Sequence, residues 1–164
     1  MEAIRLWLEQ NFFGELLYTA LMAMAPVVEL RGAIPFGHNV LGLNIWLAAA
    51  ASIVGNLLPV PFIIIYVRRV FAFLRKKIPK LNHMVDRLVR KAEGKRETVN
   101  KYGFWGLCVL VAIPLPGTGA WTGAMVAAFM DMRIKKAFPA IALGVVIAAV
   151  VVTFLTVGVT AILV

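Results

Sequence analysis

An acid and a base, Glu29 and Arg31, lie two residues apart inside Leu16–Phe36, a stretch that carries no other charge. A charged side chain at the centre of a bilayer costs about 2.5–3.5 kcal/mol on insertion scales, so such residues are usually functional or compensated. Glu29 could take up and release a proton, because removal from water favours the neutral form of a carboxyl group. Arg31 offers a planar guanidinium that suits phosphate or carboxylate groups. The alternative is a static arrangement in which both charges are satisfied and do nothing else.

Further candidate residues lie near interruptions of the apolar sequence that are rich in proline and glycine. Asn56 needs a hydrogen-bond partner inside a membrane, and it suits a contact between helices as well as a substrate contact. Trp121 could line a cavity or lie at the membrane interface, and it stands between the hydroxyl groups of Thr118 and Thr122. The candidate site for substrate and protons therefore comprises Glu29, Arg31, Asn56, Thr118, Trp121 and Thr122.

The interruptions themselves are predicted to break helices, because proline lacks an N–H donor and glycine adds flexibility. Breaks are predicted from Glu29 to Pro35, within Gly55–Pro61 and at Pro114–Gly119. Inside a membrane, the backbone groups freed at a break must be buried in protein or line a wet cavity, and helix N-termini favour anions. The residues assigned to this backbone are Pro26, Gly32, Pro35, Pro114, Pro116, Gly117 and Gly119.

Groupings of residues for enzymatic chemistry are missing from the sequence. It contains no arrangement typical of a nucleophile–base triad, a phosphate-binding glycine-rich loop or a metal cluster. Cys108 is the single cysteine, which rules out an intramolecular disulfide, and it lies in an apolar run that is typical of packing. We therefore predict a protein that is not an enzyme and uses neither a cofactor nor a metal ion.

Composition and charge indicate a membrane protein. Hydrophobic residues make up 62% of the 164-residue chain, whereas ordinary soluble domains have about 45–50%. Twelve of the 17 basic residues, but only three acids, lie between Arg68 and Lys101, so this segment carries the whole net charge of +9. A basic segment between apolar ones marks the cytoplasmic face of a membrane rather than a nucleic-acid site. The predicted partners are therefore membrane lipids with anionic headgroups, and no nucleic acid.

The apolar segments predict an all-α integral membrane protein. Two uncharged segments, Ile45–Val67 and Ala137–Val164, are long enough to cross the membrane. Residues 12–36 and 102–130 are interrupted, and we interpret each of these segments as a broken or re-entrant helical hairpin. A full crossing by residues 102–130 would place the basic turn Asp131–Lys136 opposite the basic segment, against the positive-inside tendency.

The resulting plan is one membrane domain with two inverted-topology repeats, each a broken or re-entrant hairpin followed by a transmembrane helix. The first repeat comprises residues 1–67, the basic cytoplasmic loop residues 68–101 and the second repeat residues 102–164. Amphipathic helices at the lipid surface are predicted for residues 1–11 and within 81–92, where a solvated helical hairpin is the alternative. Many transporters bind substrate between such repeats. A plain four-helix span with kinks is the other interpretation.

Three motifs resemble the small multidrug export family: the segments Pro26–Pro35, Gly55–Pro59 and Ala112–Ala124. The resemblance extends from about Phe12 to Leu163. It implies transport and names no substrate.

More distantly, the plan resembles the DedA (SNARE-associated, VTT-like) superfamily of bacterial and archaeal membrane proteins. That resemblance implies two re-entrant hairpins and proton-dependent movement of lipid-linked phosphate carriers. Glu29 is similar to the hairpin acid of that superfamily. The arginine that usually follows the Pro-Gly turn of the second hairpin there has no counterpart in Pro116–Gly119, so Arg31 is the only arginine at membrane depth.

The sequence thus predicts a multi-pass transporter of the cytoplasmic membrane that is coupled to protons. Its substrate is expected to be small or lipid-linked, and an anionic group would suit Arg31. The alternative is a lipid-interacting scaffold without net transport, which would use the basic loop. With only two clear crossings per chain, we expect a homodimer.

Overall fold

The computed structural model of the protein describes residues 12–77, 86–87, 89–90, 93–94, 96–115 and 118–163. Within these residues the fold is helical and contains no strand, which confirms the predicted all-α class. The helices are α1 (Phe12–Met24), α2 (Glu29–Asn39), α3 (Ile45–Leu57), α4 (Val60–Lys77), α5 (Arg96–Ala112), α6 (Ala120–Phe129) and α7 (Ile134–Leu163). Outside the described residues lie the predicted helix at residues 1–11, most of the one within 81–92, Pro116 and Gly117.

Two helical stretches among the described residues, Ile45–Phe73 and Ile134–Ile162, are long and apolar enough to cross a membrane, by length and composition alone. The first of them comprises α3 and most of α4, which a turn at Leu58 and Pro59 separates. Pro59 and Pro61 offer no N–H to the carbonyl groups one turn earlier. The break predicted within Gly55–Pro61 is therefore confirmed.

The chain divides into two compact units. Unit 1 comprises the described residues of Met1–Leu58 and Val145–Val164, and so contains α1, α2, α3 and the C-terminal part of α7. Helices α1, α2 and α3 pack against one another in every pairing. A Cβ atom on Gly55 would lie 2.0 Å from the carbonyl oxygen of Ala20, so only glycine fits where α3 meets α1.

Unit 2 comprises the described residues of Pro59–Gly144, and so contains α4, α5, α6 and the N-terminal part of α7. Helix α6 packs against both α4 and α5. Small side chains permit this packing, since a Cβ atom on Gly123 would lie 2.5 Å from Cγ2 of Val111. Helix α5 is kinked at Gly103, whose φ of 55° and ψ of −120° are not helical.

The first helix break lies before Glu29, and the predicted break from Glu29 to Pro35 is wrong. Residues 25–28 form a bend and a turn, and α2 then runs from Glu29 through both Gly32 and Pro35. Pro35 removes only one backbone donor, and packing of one face of α2 outweighs that loss. The buried residues on α2 are Glu29, Leu30, Ala33, Ile34 and Gly37.

Pro26 explains why the break falls where it does. Its nitrogen has no hydrogen to donate to the carbonyl of Met22, which accepts instead from the N–H of Ala25 at 3.1 Å. The last hydrogen bond of α1 therefore spans three residues instead of four, and the helix ends there.

The break predicted at Pro114–Gly119 is confirmed, because α5 ends before it and α6 begins after it. The predicted basic loop, residues 68–101, is helical at both ends, where it belongs to α4 and α5. The division of the chain into repeats at residues 67 and 102, and their inverted topology, stay predictions.

Candidate functional site

Glu29 combines burial with an unusual backbone conformation. The residue is 5% exposed, although acidic residues are almost never fully buried unless paired. Its φ of 48° lies in the left-handed region, which costs most L-residues about 1–2 kcal/mol. Its N–H donates to the carbonyl of Ala25 at 2.9 Å, so the turn before α2 holds it in place. Strain of this kind clusters at functional sites, where the surroundings enforce it.

Arg31 lies two residues further along α2 and is partly exposed. Residues i and i+2 of a helix do not face each other, so the Glu29 and Arg31 side chains point to different surroundings. Glu29 and Arg31 each have an interaction partner. The static alternative, in which both charges are satisfied, requires such partners. That alternative does not explain why an acid occupies a strained backbone position.

Buried polar atoms without partners lie on one face of α3. Asn56 and Ser52, one turn apart and therefore on the same side of the helix, are both 0% exposed. Among the described residues, neither amide atom of Asn56 nor the hydroxyl of Ser52 has a hydrogen-bond partner. A buried polar group left unpaired costs about 1–3 kcal/mol. Sequence reasoning found Asn56 but missed Ser52, which the four-residue spacing from Asn56 could have revealed.

Thr153 of α7 is a further buried polar residue in unit 1. It is 3% exposed, and its hydroxyl has no partner in the part of the chain that the structure describes. By contrast, the hydroxyls of Thr156 and Thr160 each donate, at 2.8 Å, to the carbonyl four residues earlier, as hydroxyls in helices often do. Nothing in the sequence distinguishes Thr153 from the other two, so it was not predicted.

Thr118 hydrogen-bonds the backbone at the break Pro114–Gly119, which is called the second break below. Its hydroxyl lies 2.7 Å from the carbonyl oxygen of Ile113 and 2.8 Å from that of Leu115, and it accepts from the N–H of Leu115 at 3.3 Å. A hydroxyl has one proton, so it donates to one of the two carbonyls at a time. The hydroxyl predicted to contact substrate is therefore engaged with the backbone around Pro114.

Gly119 ends the second break as the N-cap of α6. Its φ of 112° and ψ of −174° belong to a region that is almost exclusive to glycine. In the first turns of α6, Thr122 is 5% exposed, whereas Trp121 is half-buried and has an interaction partner. Of the described residues assigned to break backbone, those outside helices are Pro26, Pro114 and Gly119.

The predicted site residues divide between the two units. Glu29, Arg31 and Asn56 belong to unit 1, and Thr118, Trp121 and Thr122 belong to unit 2. Their joint use in one binding site stays a prediction. In the described ranges, no group of three or more His, Cys, Asp or Glu residues could hold a metal ion.

A protein-family model described as "Putative small multi-drug export protein" matches residues 29–151. The match covers more than half of the 164-residue chain and includes every residue of the candidate site. No curated protein and no solved structure matches the chain. The family match and the two apolar helices together indicate a membrane protein.

Proposed function

This chain belongs to the family described as "Putative small multi-drug export protein", and on that premise we propose that it is a proton-coupled membrane transporter. Its family is one of export proteins and not of enzymes. The proposed substrate is a small or lipid-linked molecule with an anionic group such as a phosphate. It crosses the cytoplasmic membrane by alternating access, through relative movement of two inverted repeats.

The observation that carries this proposal is the burial of Glu29 at a strained position. Acids inside membrane proteins are rare and often belong to proton pathways. A proton on Glu29 removes a charge from an environment of low dielectric constant, so it changes the cost of burying this side chain. A conformational equilibrium that exposes Glu29 in one state and buries it in another is therefore coupled to protons.

The groups of unit 1 that could contact substrate support the proposed substrate class. Arg31 is partly exposed and carries a guanidinium, which binds phosphate and carboxylate groups through parallel hydrogen bonds. The amide of Asn56 and the hydroxyl of Ser52 are buried and have no partners among the described residues. They are the proposed polar contacts for substrate or for a water that carries the proton. A homodimer is proposed as the transporting unit.

Reaction with a membrane-soluble carbodiimide tests the role of Glu29 without knowledge of the substrate. Carbodiimides modify protonated carboxyl groups in apolar surroundings. Purified protein in lipid vesicles is treated with dicyclohexylcarbodiimide between pH 5 and pH 9, and the modified residues are mapped by mass spectrometry. We expect Glu29 to be modified at neutral pH, with a yield that falls as the pH rises.

Glu15 is the matched control, because it is also a glutamate in an apolar helix, α1, but is partly exposed. Glu15→Gln should leave the modification unchanged, and Glu29→Gln should abolish it. A Glu29 that stays unmodified over the whole pH range would contradict the proton-carrying role. It would favour the alternative of a lipid-interacting scaffold without transport.

A further inference from the structure

A cleft of about 530 Å³ lies in unit 2, beside α4 and the C-terminal end of α6. Its lining combines an apolar surface with charged side chains, and includes Ile65, Arg68, Arg69, Ala72, Asp131 and Met132. A second cavity of about 380 Å³ also has Arg68 and Ala72 in its lining. Such a lining suits a ligand that is itself part apolar and part anionic.

The end of α6 fixes one of the two arginines. Asp131 has a φ of 52°, and the N–H of Met132 donates to the carbonyl of Ala127 at 3.0 Å. This is the Schellman pattern of a helix C-terminus, in which the left-handed residue is usually glycine. Here it is an aspartate, whose carboxylate accepts from Nη1 of Arg68. The same Nη1 lies 3.5 Å from the carbonyl oxygen of Ala128.

Most donors of the two arginines have no partner among the described residues and could bind a ligand. A guanidinium carries five N–H donors, and only Nη1 of Arg68 has partners among the described residues. Arg69 has no hydrogen-bond or ion-pair partner in the described part of the chain, and its side chain is exposed. Three further basic residues, Arg133, Lys135 and Lys136, lie within five residues after Asp131 in the sequence. Within the lining itself, two arginines against one aspartate leave the cleft with a net positive charge.

The cleft lies where the uncharged part of α4 ends, and we expect the boundary between hydrocarbon and water at this level. Arg68 is the first charged residue after the 23 uncharged residues Ile45–Val67. Tyr66, two residues earlier, is 48% exposed, and tyrosine is enriched at membrane interfaces. Ile65 extends the cleft on the apolar side of the arginines, where it is 50% exposed.

From this arrangement we propose that the cleft binds one anionic phospholipid, with its phosphate at Arg68 and Arg69 and an acyl chain along Ile65. Asp131 is a positioning residue, because it holds the Arg68 guanidinium at the end of α6 and does not itself contact the lipid. The site goes beyond the proposed transport and is independent of it. Its binding can be measured when no substrate is known.

Native mass spectrometry of detergent-solubilised protein, titrated with phosphatidylglycerol or phosphatidylcholine, tests the proposal. We expect one phosphatidylglycerol to bind in preference to phosphatidylcholine. Arg69→Gln should weaken that binding about tenfold, because a charge-assisted hydrogen bond to phosphate is lost. The matched control is Arg87→Gln, an exposed arginine of the basic segment that does not line the cleft. If both variants lose affinity equally, the attraction is general electrostatics and the proposal is wrong.

A second pair of variants keeps every charge. Ala72→Phe fills the cleft, whereas Val70→Phe enlarges an exposed side chain on the same helix outside the lining. The proposal predicts loss of the bound phosphatidylglycerol for Ala72→Phe alone, with unchanged melting temperatures confirming the fold of both variants. Binding by Ala72→Phe equal to that of the unaltered protein would overturn it. Displacement of the lipid by millimolar inorganic phosphate would also overturn it, because the cleft would then be a simple anion site.

Discussion

Two of the described helix breaks, the first at residues 25–28 and the one at Pro114–Gly119, here called the second, follow the same plan and end in different residues. Each lies after an apolar helix, contains proline and leads into a new helix through a residue of positive φ. In unit 1 that residue is Glu29, with a φ of 48°, and in unit 2 it is Gly119, with a φ of 112°. Glycine adopts positive φ without steric penalty, whereas glutamate does not.

The difference indicates that the first break carries a backbone strain that a glycine at the same position would avoid. In the described part of the second break, the hydroxyl of Thr118 hydrogen-bonds the backbone of Ile113 and Leu115, and glycine at position 119 adopts its positive φ without a steric penalty. At the first break a glycine would relieve the backbone strain, but the chain has a buried acid there instead. We infer that the first break retains its side chain for function and that the second serves mainly to redirect the chain.

The largest effect on stability is expected at Gly119. Gly119→Ala places a Cβ atom on a backbone of φ 112° and ψ −174°, and should lower the free energy of unfolding by about 1–3 kcal/mol. Thermal unfolding in detergent measures the change. Gly158→Ala is the control, because its Cβ atom would meet open space within α7. Equal stability of the two variants would show that the second break does not need glycine.

A smaller effect on stability is expected at Glu29, where two variants separate the contribution of the backbone from that of the side chain. Within a helix, alanine is more stable than glycine by about 1 kcal/mol. At a φ of 48° the order should reverse, so we expect Glu29→Gly to unfold at a higher temperature than Glu29→Ala. Both variants lose the carboxyl group, so their difference reports the backbone alone. If Glu29→Ala were the more stable variant, the backbone at Glu29 would not be strained.

The smallest effect is expected at Thr118. Thr118→Val keeps the shape of the side chain but removes the hydroxyl that bonds the carbonyls of Ile113 and Leu115. We expect a loss of about 0.5–1.5 kcal/mol in the free energy of unfolding, and restoration by Thr118→Ser. If Thr118→Val unfolds like the unaltered protein while carbodiimide reactivity at Glu29 disappears, the second break is functional and the comparison fails.

Much of the architecture could be predicted from the sequence, because composition and proline placement act locally. The apolar segments indicated helices, and the two prolines of Pro114–Gly119 correctly predicted the second break. The same reasoning predicted a break at Pro35 and was wrong there. Packing of Leu30, Ala33 and Ile34 outweighs the loss of one backbone donor in α2. Membership of the export-protein family is confirmed, and the more distant DedA resemblance stays a prediction.

The candidate site could be predicted only in part. Charge at membrane depth was enough to find Glu29 and Arg31, since an acid and a base inside an apolar run need a reason. The left-handed backbone of Glu29 was not predictable, because it depends on the geometry of the turn at residues 25–28, which a sequence pattern does not contain. Thr153 was missed because its unpartnered hydroxyl depends on contacts that a sequence pattern does not contain.

Infrared spectroscopy of the carboxyl group tests the central claim, that Glu29 is a buried acid that exchanges a proton. Spectra of the protein in lipid vesicles are recorded across a pH titration, and those of Glu29→Gln are subtracted. The account predicts a C=O stretch of a protonated carboxylic acid that disappears as the pH rises and is absent from the variant. Spectra of the unaltered protein that contain no such band at any pH, or one that Glu29→Gln retains, would contradict it.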